Sequence, residues 1–239
     1  MVMGMGMMGT TTIMIDNVAL LRLMTWLSPA FPVGAFSYSH GIERAVHDGL
    51  VVDRGSLHEW LVDLLGHGSA WNDAVLFAGS YRLANREQGA REQSDWVDIC
   101  ELAEAMAGSS ERHMETMLQG EAFLAAARAW PHPILQSLPS QAAMPVAVGA
   151  LAGAHRIDMK ASLSAYLHSF VANLVQGAIR LVPLGQKDGV AILAGLEHRL
   201  VGVAERGCRS SLADLGSAAI MSEIMAMRHE TQYSRIFRS

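Results

Sequence analysis

The chain has 239 residues, 51% of them hydrophobic and 17% charged, with a formal net charge of −5 at pH 7. That length supports one substantial core burying roughly 70–75% of the unfolded surface, and the acidic balance argues against a nucleic-acid partner. Only two cysteines, Cys100 and Cys208, are present, with no metal-ligand spacing and no disulfide framework, and no apolar run reaches the about 20 residues of a membrane span; a globular cytoplasmic protein is expected.

The first fifteen residues read as a flexible Met/Gly/Thr tail without the basic start of a secretory signal. Gly4, Gly6 and Gly9 match the dinucleotide-binding G-x-G-x-x-G spacing, but that fingerprint needs a strand before it, and none fits in three residues. Asp16 then caps a predicted helix with Leu20, Leu21, Met24 and Leu27 on one face, stopped at Ser28–Pro29. The stretch SPAFPVGAFSYSHGIERAVHDG (28–49) follows; its first fifteen residues are uncharged, yet it is too rich in Pro and Gly for a strand. Within it Ser37 or Ser39 is expected to cap a short helix carrying Ile42 and Val46, ended by Asp48–Gly49.

Downstream the apolar period is helical throughout. Ser56-x-x-Glu59 reads as a capping box opening a helix with Trp60, Leu61, Leu64 and Leu65. Asn72/Asp73 and Ser94/Asp95 are expected to start the next two, and another runs from Ser110 to about residue 129. Pro131 and Pro133 break the chain before the small-residue run 142–154. Leu163, Tyr166, Leu167, Phe170, Val171 and Leu174 recur at helical spacing, and Pro183 and Gly185 close that element. Its other face, Ser164, His168, Ala172, Asn173 and Gln176, is small and mildly polar, suiting either a central helix or one that meets another subunit. A helix lined by Ile192, Leu196, Leu200 and Val203 comes next, and a last one is expected to turn Ile220, Ile224 and Met227 inward. Without an alternating strand pattern or a hairpin signal, the predicted fold is all-α, a single-domain bundle of about nine or ten helices over residues 16–227.

Chemistry-bearing motifs are sparse. There is no P-loop, no H-E-x-x-H and no His pair at i, i+4 among the ten histidines. Ser37–Ser39 approaches a nucleophile elbow but lacks its first glycine and the strand that must feed it, so a small helical serine hydrolase is the alternative rather than the main reading. MRHETQYSRIFRS (227–239) gathers Arg228, Arg235 and Arg238 around Tyr233 and Phe237, residue types that interface hot spots favour. A docking tail over 228–239, mobile when free and ordered when bound, is expected.

LSPAFPVGAFSYSHGIERAV, GAIRLVPLGQKDG and the terminal MRHETQYSRIFRS closely resemble the UreF family of urease accessory proteins, in the same order along the chain. The resemblance implies a non-enzymatic, typically dimeric all-α protein that helps assemble the nickel centre of urease. It further implies that such a protein bridges a UreD-type accessory protein, which contacts urease apoprotein, and a UreG-type GTPase that carries nickel. Nickel is then the delivered metal, with no cofactor bound stably. The matching motifs point to partner contacts at Ser37, Tyr38, His40 and Glu43, at Arg180, Gln186 and Asp188, and at Arg228, His229, Glu230, Tyr233 and Arg235.

Overall fold

The computed structural model describes residues 16–86 and 92–239; the tail expected over 1–15 and its glycine pattern lie outside them. The described residues form ten helices of six residues or more, a single-turn helix at Ile134–Ser137, two 3-10 turns and no strand. In chain order they are α1 (Asn17–Trp26), α2 (Ile42–His47), α3 (Arg54–His67), α4 (Ser69–Asn85), α5 (Gln93–Ala105), α6 (Ser110–Ala127), α7 (Ile134–Ser137), α8 (Met144–Ala154), α9 (Met159–Ile179), α10 (Gln186–Arg209) and α11 (Ile220–His229).

The centre of the molecule is α8 packed lengthwise on α4, a contact set by small residues. A Cβ at Gly149 would meet Ser80 Oγ at 2.3 Å and the Phe77 carbonyl oxygen at 2.4 Å, and one at Gly153 would meet the Tyr81 carbonyl at 2.6 Å. The run 142–154 is therefore a hub, buried from Met144 to Gly153, and glycine lets its backbone lie against α4. Helices α6, α9 and α10 close around this pair, and α3 covers α10.

Local signals located the helices but misplaced the starts of three of them. Asp16 caps α1 through the Val18 amide (3.3 Å), as expected. The capping box of α3 is one turn earlier than Ser56-x-x-Glu59: Asp53 is the cap, accepting from the Ser56 amide at 2.8 Å, while Ser56 Oγ accepts from the Asp53 amide at 3.0 Å. Asn72 and Asp73 do not start α4 but lie buried within it, and α5 is capped at Glu92 with Asp95 reaching back.

Two helices face the opposite way from their apolar pattern. In α1 the buried side chains are Leu23 and Trp26, whereas Leu20, Leu21 and Met24 are exposed. In α11 the buried ones are Ser222, Met225 and His229, and Ile220, Ile224 and Met227 point outward. Trp26 explains the first case, because its ring meets Phe123, Trp130 and His155 edge-on or tilted, and this aromatic contact outweighs the aliphatic stripe. His229 explains the second, as it must reach buried carboxylates.

The uncharged connection 28–41 wraps the base of α9. Phe31 tucks against Phe123 and Trp130, and Asn173 of α9 donates to the Ala35 carbonyl at 2.8 Å. Phe36, by contrast, is 71% exposed.

Candidate functional site

The site is a buried polar cluster where the last eleven residues return to the start of α2. Gly41, at φ 78°, sits where a Cβ would meet the Ala226 amide nitrogen at 2.8 Å, so only glycine lets α2 begin against α11. His40 just before it has φ 57°, a left-handed conformation uncommon for a side-chain-bearing residue. Ser39 supplies the capping group, since its Oγ accepts from the Glu43 amide (3.3 Å).

Glu43 on α2 holds the terminal segment by its backbone. Its carboxylate accepts from the Ile236 amide at 2.7 Å and the Phe237 amide at 2.9 Å, and faces His229 Nε2 at 3.2 Å. His229 is wholly buried, and its other nitrogen lies 2.7 Å from Glu111 of α6. Glu111 in turn pairs with Arg235 at 2.5 Å. Farther along, the Arg238 amide donates to the Ser37 carbonyl (2.8 Å), the Ser39 amide and hydroxyl reach the Ser239 backbone oxygen, and Ser239 Oγ bonds Glu115 (3.2 Å). Phe237 is buried under the Arg180 guanidinium, 4.7 Å from its ring centroid.

A second layer lies beneath. Arg112 donates to both oxygens of Asp73 at 2.9 Å and lies 3.6 Å from Glu115, and Tyr166 donates to Asp73 at 2.7 Å. Burial opposes the Arg112 charge, but Asp73 and Glu115 outweigh it and raise its pKa further. Burial also pushes the Tyr166 phenol well up, with the Asp73 charge adding to it, so Tyr166 is a donor. Burial alone would raise the Glu115 carboxyl; Arg112, then His40 and Ser239, pull it below the ordinary carboxylate range. His40 completes the layer, with Nδ1 3.4 Å from Glu115 and Nε2 against Ser69 Oγ. A cavity of about 50 Å³ opens beside it, lined by Asp73, Arg112, Glu115, Thr116 and Ser239 among others.

The structure brings together Ser37, His40, Glu43, His229, Arg235 and, through Phe237, Arg180. Glu230 lies at the edge, capping α6 by accepting from the Ser110 amide at 2.9 Å. Arg228 is half exposed and pairs with Asp48 at 2.6 Å. Gln186 and Asp188 stand apart at the start of α10, where Asp188 accepts from the Gly185 amide at 3.1 Å. Tyr38 is 3% exposed and belongs to the chain's own core, whereas Tyr233 is fully exposed. The expectation of a tail free of the core gives way here: the boundary at 228 falls inside α11, and residues 229–239 are a strap anchored from within. Sequence reading missed the anchors Asp73, Glu111, Arg112 and Glu115. For the three on α6 the signal is a run of charges in its first two turns, which any solvated helix start can show, and Asp73 reads in the sequence as a helix start.

The cluster does not suit nucleophilic or metal chemistry. Ser39 Oγ is buried and engaged with Ser239 and Glu43, which removes the basis of the hydrolase alternative. Both nitrogens of His229 are occupied by carboxylates, and no group of three His, Cys, Asp or Glu among the described residues could hold an ion.

The UreF family model matches residues 51–197. A urease accessory protein UreF of Mesorhizobium japonicum is 56% identical over 224 residues, covering 94% of this chain and 98% of that one. Urease accessory protein UreF 1 of Brucella canis is 58% identical over 223 residues (93% and 95%), and that of Brucella anthropi 55% over 230 residues (96% and 98%). The chain belongs to the UreF family, a family of accessory proteins rather than enzymes. No helix among the described residues is long and apolar enough to cross a membrane.

Proposed function

We propose that this protein is a urease maturation chaperone of the cytoplasm, acting as a homodimer that bridges a UreD-type accessory protein and a UreG-type GTPase. In this reading it modulates when the GTPase hydrolyses GTP or releases nickel for the urease apoprotein, and holds no metal stably itself. The observation that carries the reading is the strap: its inner side is fixed by buried carboxylates, while Tyr233, Ile236 and Arg238 remain exposed on its outer side. A segment already ordered loses less entropy on docking than a free tail would. Homodimerisation is supported by a second surface, where α1 and the 28–36 connection flank α9. Adjoining grooves of about 310 and 490 Å³ share Leu27, His168 and Ser169, with exposed Met24 and Phe36 along them. No formal charge lies between residues 161 and 179, so two copies can meet there without like-charge repulsion.

The test is co-expression of Tyr233→Ala/Ile236→Ser with the urease operon, followed by urease activity and pairwise binding to both accessory proteins. Loss of activation by a stably folded variant is expected. Full activation overturns the docking role of the strap.

A further inference from the structure

Helix α11 offers solvent its apolar side. Ile220 (64% exposed), Met221, Ile224 and Met227 form a stripe at i, i+1, i+4 and i+7, and exposed Leu50 lies beside Ile220 and Met221. Between α11 and α3 runs a groove of about 370 Å³ lined by Ile220 and Met221 of α11, by Glu59, Trp60 and Asp63 of α3, and by Leu50. Those two carboxylates stand one turn apart, and neither enters an ion pair among the described residues. No Lys, Arg or His lines the groove, and Arg228, farther along α11, is engaged by Asp48. An apolar stripe of this kind, rimmed by polar residues, marks an interaction site.

We propose that this face docks a different protein, through an apolar ridge flanked by lysine or arginine. A second copy fits poorly, because an isologous contact must be self-complementary and this surface brings two carboxylates with no cation to meet them. The face along α9, where residues 161–179 carry no formal charge, suits a second copy instead. An anionic membrane surface is disfavoured by the same carboxylates. Met221 and Met227 add unbranched, polarizable side chains that adapt to a partner's shape. The inference rests on the maturation reading and adds a docking face away from the strap, with the charge its partner must carry.

The test uses the full chain and two variants, Met221→Ser/Ile224→Ser and Glu59→Lys/Asp63→Lys. Binding to the UreD-type and the UreG-type protein is measured by calorimetry at low and high salt, and mass by light scattering. Both variants are expected to keep helicity, melting temperature and native mass, yet bind one of the two proteins at least about tenfold more weakly. Added salt should weaken the native complex more than that of the charge-reversed variant. Unchanged affinity for both proteins overturns the proposal, as does a change of mass, which would assign the face to a second copy. If the native chain binds neither protein, the maturation reading falls and this inference with it; native binding matched by both variants removes this inference alone.

Discussion

Glu43 shows how one buried carboxylate can fix a distant segment. It accepts two amides of the strap and faces His229, so Glu43→Ala leaves three groups unpaired at once. Removing one member of a buried, hydrogen-bonded network costs about 3 kcal/mol or more. Urea unfolding should register that loss, and the amides of Ile236 and Phe237 should exchange much faster in the variant. An unchanged midpoint would mean that the strap is held by other contacts. Tyr38 invites a different outcome from the one its motif suggests. Its ring is buried in its own chain, so Tyr38→Ala is expected to cost about 3 kcal/mol of folding stability, and any loss of partner binding then follows from the fold. Thermal unfolding of the isolated variant checks this before any pull-down is interpreted.

At the scale of elements, Gly120 governs how α6 meets the start of α8. A Cβ there would sit 1.8 Å from the Ala142 carbonyl oxygen and 2.9 Å from the Met144 amide nitrogen. Alanine ordinarily improves a helix interior by about 1 kcal/mol, but backbone on both sides leaves no room for the methyl. Gly120→Ala should therefore destabilise by about 2 kcal/mol or more, with the sign opposite to helix propensity; chemical denaturation decides between them. The strap is the second case. Deleting residues 228–239 uncovers Glu43, Glu111 and Glu115 and the site of Phe237, so the truncated chain is expected to lose stability and solubility as well as activation. A soluble truncation with native circular dichroism and melting temperature would contradict that coupling.

Across the whole molecule, acid is the expected weakness. Burial, reinforced by Arg22 and His132, lowers His155 from 6.5 to about 4. The folded state therefore resists a proton that the unfolded chain accepts, and stability falls as pH drops from 6.5 toward 4. His155 is only partly buried, which keeps its share small. Glu115 acts in the same direction: its folded carboxyl is held below 4.5, so the stability it gives is present above that value and lost beneath it. Melting temperature should thus decline on acidification below about 6.5 and fall further under 4.5, and His155→Gln should flatten the upper part alone. A melting temperature independent of pH between 7 and 4 would exclude both contributions.

The amino-acid sequence by itself determined the helical class, the approximate position of most elements and the family, because helical periodicity, capping residues and long motifs are local properties of the chain. The motif resemblance pointed to Glu43, His229 and Arg235 as partner contacts, and in the structure all three are engaged within the chain's own ion-pair cluster. Which way α1 and α11 face was decided only by the tertiary structure, since Trp26 and His229 each find long-range partners that outweigh an aliphatic stripe. The same holds for the tail: its arginines and aromatics read as a surface peptide, and only folding brings Glu43, Glu111 and Glu115 beneath it. A buried ion pair is a property of two distant segments meeting, and neither segment encodes its partner locally.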